Sequence, residues 1–336
     1  MHIDSARELK AELRARAADE LVALAAPSGV ASIGISVLGR DGNGPRYGVA
    51  VRYSGPRGDA LLGRARELAG TSAGSEVDVR DVGRVVALSR PTGNTAPTED
   101  RTWSAASLRR RVRPLHPGLS IAHRDVTAGT LGGFVTVTGS DGVYVLSNNH
   151  VLADSDRGAL DDPVLQPGPA DGGTAGDRVG RLARAVALEA GGGGTVDAAI
   201  ALLEGVSSAD DERIDATYPC GRLVGTAEPD DEVAVEKVGR TTGWTSGRIT
   251  AIELDDVAVE YPVGVVSFDG QIEVTGTTSA FSAGGDSGSL VYRPDTREAV
   301  GLLFAGSERG GDGGTGLTFC NPITLVLDAL GATLVR

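Results

Sequence analysis

The nine residues FSAGGDSGS at positions 281–289 decide how the rest of this 336-residue sequence is interpreted. A serine hydroxyl is a useful nucleophile only when a base accepts its proton and hydrogen-bond donors receive the negative charge that develops on the attacked group. The glycines before Ser287 let the backbone turn tightly, so that the amides of Gly285 and Ser287 can point to one spot. Asp286 lies between them, and its carboxylate needs a partner if the turn is buried. The stretch is short, so it needs support from elsewhere in the chain.

Four histidines could supply the base, namely His2, His116, His123 and His150. His2 lies at a terminus that we expect to fray, and His116 and His123 lie in or beside a segment without clear periodicity. His150 closes the apolar run VYVLSNNHVL, which follows the turn GSDG, so it stands where a strand leaves the core. The sequence predicts His150 as the base for Ser287. The alternative is a structural histidine that is buried in the core with its ring nitrogens hydrogen-bonded.

The carboxylate that would orient the imidazole is selected by its surroundings. Four aspartates follow His150 closely in polar loop sequence: Asp154, Asp156, Asp161 and Asp162. Asp197 instead enters the apolar run VDAAIALL, where an unpaired charge would be costly. We therefore predict that Asp197 pairs with His150. An aspartate that caps a turn at the edge of a strand is the alternative.

The first 90 residues combine helical and strand patterns. The expected elements are a helix over 5–26, a hairpin of alternating runs at 33–37 and 47–53, a short helix around Leu61 to Leu68 and a strand through Val77, Val79, Val85 and Val86. This set predicts a small α/β domain over residues 1–90.

The pattern changes in the rest of the chain. Residues 91–114 are rich in Pro, Thr, Ser and Arg and are interpreted as a linker, whose basic run at 109–113 is either solvated charge or a docking or processing site. From residue 115 onward, short apolar runs alternate with Gly, Asp and Pro clusters, which is typical of an all-β sandwich or barrel. A last helix is expected over 323–330, after Pro322.

Composition excludes several classes of function. A formal net charge of −13 disfavours a nucleic-acid partner. No run approaches the ~18 apolar residues of a membrane span, and the charged N-terminal residues lack the apolar core of a signal peptide. Only Cys220 and Cys320 occur, so reduced thiols in a cytoplasmic protein are expected, with a single disulfide as the alternative.

The order His150, Asp197, Ser287 resembles that of the chymotrypsin-type serine peptidases, through the patches LSNNHVLA, VDAAIA and GGDSGSLV. The run VGRTTGWTSG is similar to a second-barrel hairpin of bacterial members. The likeness is closest to the plant narrow-leaf group and its bacterial relatives, which share RPLHPGLSIAH, TAGTLGG and QPGPADGG. It covers roughly residues 113–336.

The resemblance implies a mainly β fold with two six-stranded antiparallel β-barrels, the first at about 115–212 and the second at about 213–336. It also implies that residues Phe304, Ala305 and Gly306 pair with the substrate backbone and that Phe281 lies at the floor of the specificity pocket. Because this position is neither Asp nor Glu, we do not expect cleavage after Lys or Arg. A small or medium apolar residue is expected instead.

The predicted function is a serine endopeptidase that forms an acyl-enzyme on Ser287, with the amides of Gly285 and Ser287 as the oxyanion hole and with no metal or cofactor. Its partners are protein or peptide substrates, and a homo-oligomer is compatible with the resemblance. The alternatives are a latent peptide-binding scaffold and an esterase, although the G-x-S-x-G elbow is missing. No Ile-Val-Gly-Gly start is present, so Asp286 is expected to pair within the fold or across an oligomer interface. The long segment 153–194 is expected to border the cleft.

Overall fold

The computed structural model describes residues 1–24, 31–42, 44–55, 60, 63–65, 67, 76–88, 102–229 and 233–336. Residues 91–101 of the predicted linker lie outside the described residues, and so does much of the helix expected around Leu61 to Leu68.

Strands make up most of the described secondary structure. The helices are α1 (Ile3–Leu24), α2 (Ala105–Leu108), α3 (Asn149–Leu152) and α4 (Ile323–Leu330). The strands are β1 (Ala31–Asp41), β2 (Gly44–Tyr53), β3 (Val77–Asp81), β4 (Val85–Ala87), β5 (Ser120–His123), β6 (Gly129–Thr130), β7 (Gly133–Val137), β8 (Val143–Ser147), β9 (Pro163–Leu165), β10 (Arg178–Ala185), β11 (Gly193–Gly194), β12 (Ala199–Leu203), β13 (Thr217–Tyr218), β14 (Gly221–Arg222), β15 (Gly225–Thr226), β16 (Ala234–Gly239), β17 (Gly243–Asp255), β18 (Val257–Tyr261), β19 (Gly264–Phe268), β20 (Gln271–Gly276), β21 (Leu290–Arg293), β22 (Glu298–Gly310), β23 (Gly316–Pro322) and β24 (Ala332–Leu334). The helix predicted over 323–330 is confirmed as α4.

The first sheet is a half-barrel with the strand order β24-β7-β8-β12-β10-β9-β5-β6. The pairing of β5 with β6 continues beyond these two strands, because the amide of Leu131 donates to Leu119 O at 2.8 Å and the amide of Gly118 donates to Leu131 O at 2.8 Å. Inward-facing residues of β8 and β12 fill its core, among them Val143, Val145 and Ala201.

The second sheet contains a closed antiparallel ring of six strands. β16 pairs with β17, β17 with β20, β20 with β23, β23 with β22, β22 with β21, and β21 again with β16. Its interior is apolar and includes Ile249, Val274 and Leu303. Together with the half-barrel, this ring confirms the predicted mainly β, chymotrypsin-like double-barrel class.

A third apolar cluster joins the two barrels. Tyr144 and Leu146 face away from the half-barrel core and pack with Tyr292 and Leu302 of the ring, where α4 also contributes Val326. Strand β8 is therefore buried on both faces, which explains why its sequence VYVLS is continuously apolar rather than alternating. The chain leaves this strand at the junction between the barrels.

The N-terminal residues extend the second sheet. The predicted hairpin is present as β1 and β2, and β1 also pairs with β17 of the ring. The single strand predicted through Val77 and Val86 is wrong, because Gly83 adopts a φ of +65° and turns the chain between β3 and β4. β3 lies parallel to β2, whereas β4 lies between β22 and β18. The division of the chain into domains stays a prediction.

The described part of the predicted linker packs against the half-barrel. Leu108 of α2 is fully buried in its core, and the side chains of Trp103 and Val112 pack against it. Cys220 and Cys320 are both free thiols. In the ranges given above, no helix has both the length and the apolar character needed to cross a membrane.

A buried ion pair connects the N-terminal hairpin with the ring. Arg52 of β2 is 1% exposed and donates to both carboxylate oxygens of Glu273 on β20, at 2.5 and 2.9 Å. It also donates to the carboxylate of Asp78 on β3 at 2.9 Å. Burial alone would raise the pKa of Asp78, but Arg52 and Arg80 hold this pKa below its usual value.

We predict that Arg52→Met lowers the free energy of unfolding by about 3–5 kcal/mol, because it leaves the buried Glu273 carboxylate without its cation. Urea denaturation measures the loss. Arg46→Met is the matched control, since Arg46 pairs with Asp41 at 3.8 Å on the protein surface, and a change of no more than about 1 kcal/mol is expected there. Equal effects of the two substitutions would contradict the assigned role of Arg52.

Candidate active site

His150 is positioned by the end of β8. The chain leaves this strand through Asn148, whose extended backbone starts the single turn α3. The side-chain amide of Asn148 donates to Asp197 O at 2.7 Å, so the turn is tied to the chain that enters β12. As a result His150 is only 3% exposed and faces the junction between the barrels.

The structure brings His150 and Asp197 together. Asp197 is fully buried, and its Oδ2 lies 2.5 Å from His150 Nδ1, while its Oδ1 accepts the backbone amide of His150 at 3.2 Å. A carboxylate in this position accepts the Nδ1 proton and keeps Nε2 free to accept another. His150 Nε2 is buried and has no hydrogen-bond partner in the described part of the protein.

Tyr261 is a third partner of this pair that sequence reasoning missed. Its hydroxyl, at the end of β18, donates to Asp197 Oδ2 at 2.8 Å. Burial, with the nearby Asp197 charge, raises the pKa of Tyr261 well above its usual value, so the phenol stays protonated and remains a donor. A tyrosine at a strand end carries no sequence signal for such a role.

Ser287 lies on the turn between β20 and β21 and is fully buried. This turn is tied to the half-barrel, because Thr130 donates from its amide to Ser287 O at 2.8 Å and from its hydroxyl to Gly285 O at 2.9 Å. The Ser287 hydroxyl donates to Phe304 O at 3.2 Å. The structure thus places Ser287 at the junction but does not join it to His150 by a hydrogen bond.

Asp286 holds this turn from within the fold. Its carboxylate accepts the amides of Thr241, Thr242 and Ala283 at 2.8, 3.2 and 3.0 Å, and the hydroxyl of Thr242 at 2.7 Å. Lys237 of β16 adds a cation, with Nζ 3.2 Å from Oδ2. Both side chains are fully buried, so the partner of Asp286 lies in this chain.

Lys237 was not predicted from the sequence as the partner of Asp286, although its position on β16 carries a signal for a buried charge. It alternates with Val235 on the inward face of β16, and a lysine at such a position requires an acidic partner. Burial lowers the pKa of Lys237, and the Asp286 carboxylate opposes that shift. Its Nζ also lies 5.9 Å from the centre of the Phe281 ring.

The predicted oxyanion-hole glycine adopts a conformation that suits its role. Gly285 has a φ of +99°, and a Cβ atom there would lie 2.5 Å from the Thr241 hydroxyl, so only glycine fits. Its amide donates to the backbone oxygen of Leu88. The amide therefore points towards a carbonyl group, as an oxyanion donor must.

The residues predicted to bind substrate lie next to this turn. Phe304, Ala305 and Gly306 are buried residues of β22, and Phe281 is 1% exposed in the interior of the ring. A cavity of about 180 Å³ opens beside His150 and Tyr261. Asp154, Ser155 and Arg157 line its other side, so the long segment 153–194 borders the site.

Within the described ranges, no group of three or more His, Cys, Asp and Glu side chains is arranged to hold a metal ion.

Comparison with known proteins places the chain near bacterial serine proteases. No model of a known protein family matches it. It is 36% identical over 101 residues to glutamyl endopeptidase 2 of Streptomyces griseus, which is 30% of this chain and 47% of that protein. It is 35% identical over 102 residues to streptogrisin-A of Streptomyces griseus, which is 30% of each chain. The chain thus matches less than half the length of either relative.

Solved structures include similar proteins. Thermobifida fusca protease A is 21% identical, with a TM-score of 0.44, and the match covers 66% of this chain and 100% of that one. A glutamic acid specific serine protease that uses a histidine triad in substrate binding is 25% identical, with a TM-score of 0.45 and the same coverages.

Over the roughly 100 residues that each shares with this chain, the two relatives agree with the resemblance to chymotrypsin-type serine peptidases drawn from the sequence. The narrower likeness to the plant narrow-leaf group stays a prediction. The assignment of the double-barrel fold rests on the strand pairing itself.

A double-mutant cycle tests whether Lys237 and Asp286 stabilise each other. We predict that Lys237→Met lowers the free energy of unfolding by about 3–5 kcal/mol, because the Asp286 carboxylate is left buried without its cation. Combining Lys237→Met with Asp286→Asn is expected to cost less than the sum of the two single changes, by at least about 1 kcal/mol. Urea denaturation of the four proteins gives the coupling energy. Strictly additive losses would show that the pair does not act as a unit.

Proposed function

We propose that the protein is a serine endopeptidase that cleaves peptide bonds through an acyl-enzyme on Ser287. The observation that carries this proposal is the buried pair of His150 and Asp197 at the junction where Ser287 lies, in which His150 Nε2 has no hydrogen-bond partner among the described residues. A purely structural histidine would have both ring nitrogens satisfied, because a buried polar atom without a partner is costly.

The proposed mechanism requires one side-chain rotation. The Ser287 hydroxyl now donates to Phe304 O, and a turn about its Cα–Cβ bond would direct Oγ towards His150 Nε2. His150 then accepts the proton as Oγ attacks the substrate carbonyl, and Asp197 stabilises the imidazolium. The amides of Gly285 and Ser287 bind the oxyanion, and His150 returns the proton to the leaving amine.

The preference for an apolar residue before the cleaved bond is part of the proposal. Phe281 packs among Leu303, Val274 and other apolar residues of the ring. The cation near it, Lys237, is already bound by Asp286 and is fully buried, which leaves it unsuited to bind a substrate carboxylate. One relative is by its name a glutamyl endopeptidase, so a glutamate substrate is the rival to test.

A latent peptide-binding scaffold is the second candidate. It is favoured by one observation, namely that the Ser287 hydroxyl donates to a backbone carbonyl rather than to His150. Substitution of the predicted nucleophile separates the two functions, because a scaffold does not need the hydroxyl.

We predict that Ser287→Ala lowers the rate of peptide hydrolysis by about 10⁴-fold or more, because the acyl-enzyme cannot form. Covalent labelling with a fluorophosphonate probe should be lost in Ser287→Ala and strongly reduced in His150→Ala. Ser208→Ala is the matched control, since Ser208 is exposed in the loop that follows β12. Labelling that persists in both active-site variants would place the nucleophile elsewhere, and unchanged binding of peptides without any hydrolysis would favour the scaffold.

Peptides that differ only in the residue before the cleaved bond test the specificity. We predict that kcat/KM for Leu exceeds kcat/KM for Arg and for Glu by at least about 100-fold, because an unpaired charge in an apolar pocket loses its hydration. Steady-state hydrolysis of a matched peptide series measures the ratio. Faster cleavage after Glu would overturn the apolar preference and leave the serine mechanism intact.

A further inference from the structure

We propose that the protein cleaves itself, and that the bond cut is the peptide bond that follows Leu88. This inference rests on the proposed function and assigns the first substrate of the same site. Its basis is that residues 85–88 already lie along the substrate strand β22, with the Leu88 carbonyl at the amide of Gly285.

The backbone of the segment is paired as an extended substrate would be. β4 runs antiparallel to β22, with Ala87 opposite Ala305, Val86 opposite Gly306 and Val85 opposite Ser307. Ala305 and Gly306 were predicted to pair with the substrate backbone, and Ser307 is the next residue of the same strand. Addition of a strand to a sheet edge uses the main chain for affinity and alternate side chains for specificity.

Leu88 continues this pairing into the active site. Its amide donates to Phe304 O at 3.4 Å, and its carbonyl oxygen accepts the amide of Gly285. The hydroxyl of Ser287 donates to the same Phe304 oxygen at 3.2 Å. The amide of Leu88 and the predicted nucleophile therefore share one acceptor, and the Leu88 carbonyl lies at the Gly285 amide, two residues before Ser287 in the same turn.

The side chain of Leu88 fits the proposed apolar specificity. A Cβ atom on Gly306 would lie 3.0–3.3 Å from Cδ2, Cδ1 and Cγ of Leu88, so the leucine packs directly on this glycine. It also packs against the apolar cluster that contains Phe281 and Leu303. The preceding residue, Ala87, borders the cavity beside His150.

The other edge of the segment is also held. Val86 pairs with Glu260 of β18, the strand that carries Tyr261. Ahead of the segment, Arg84 donates to the Glu308 carboxylate at 3.1 Å. Because β4 is paired on both sides, no second peptide can use this edge of β22 while the segment stays in place, and self-cleavage precedes or accompanies access of other substrates.

The proposed reaction is a hydrolysis that needs only water. Ser287 Oγ attacks the Leu88 carbonyl carbon, the bond between Leu88 C and Ser89 N breaks, and His150 transfers the serine proton to the departing amine. Water then attacks the ester, His150 accepts its proton and returns it to Ser287 Oγ. The products are one chain that ends in the Leu88 carboxylate and another that begins at the Ser89 amine.

Intact-mass analysis of the freshly purified full-length chain tests the proposal. Wild type is expected to convert, at a first-order rate that does not depend on protein concentration, into a fragment ending at Leu88 and one starting at Ser89. Ser287→Ala is expected to stay intact. A wild-type chain that remains uncut, or is cut only at another bond, would overturn the proposal.

Leu88→Asp tests the role of the side chain, because a carboxylate is disfavoured against Gly306 and the apolar cluster. We expect self-cleavage to slow at least about 10-fold, whereas Leu88→Met should cleave at nearly the wild-type rate. Leu325→Asp on the exposed face of α4 is the matched control and should leave the rate unchanged. Equal rates for Leu88→Asp and wild type would count against the assignment.

A peptide substrate supplied in trans separates failure of this inference from failure of the proposed function. Hydrolysis of a peptide containing Val-Val-Ala-Leu by wild type or Leu88→Asp, together with an uncut wild-type chain, would show a protease that does not process itself. Absence of both reactions and of fluorophosphonate labelling in the two proteins would overturn the endopeptidase function itself.

Discussion

The buried carboxylate of Asp286 is the constraint on which the rest of the site depends. It accepts hydrogen bonds from three backbone amides, one hydroxyl and the Lys237 ammonium group, all in the interior of the protein. These contacts bind the turn that carries Gly285 and Ser287 to strand β16 and the residues that follow it. Losing any of these partners would leave part of the desolvation cost of the buried carboxylate uncompensated, so an altered conformation of the turn is strongly disfavoured. The turn is therefore held in one conformation by the fold itself.

The two barrels supply different parts of the site, and their packing decides whether these parts meet. His150 and Asp197 come from the half-barrel, and Ser287 comes from the turn of the closed ring. Thr130 connects them, since it contacts both Ser287 O and Gly285 O from the half-barrel side. The cluster around Tyr144 and Tyr292 packs apolar side chains from both barrels at the same interface. The relative positions of His150, Asp197 and Ser287 thus depend on the apolar packing between the two barrels.

Much of the fold and part of the candidate site were accessible from sequence. The change in pattern near residue 115 predicted an all-β sandwich or barrel, and the family resemblance narrowed this to two barrels. The apolar surroundings of Asp197 predicted its buried pairing with His150, which the structure shows at 2.5 Å. The strand through Val77 and Val86 was mispredicted, because a short apolar run does not reveal a turn at Gly83. Lys237, Tyr261 and Leu88 were missed, since their importance depends on what each contacts across the sheet.

By itself, the sequence determined the mainly β class, the apolar runs and the local turn chemistry of GGDSG, because these depend on periodicity and on the steric freedom of glycine. Only the tertiary structure decided that Lys237 neutralises Asp286, that Tyr261 donates to Asp197, and that β4 lies between β22 and β18 with Leu88 at the Gly285 amide. The physical reason is that long-range pairing between strands is selected by the packing of the whole sheet, which no local pattern encodes.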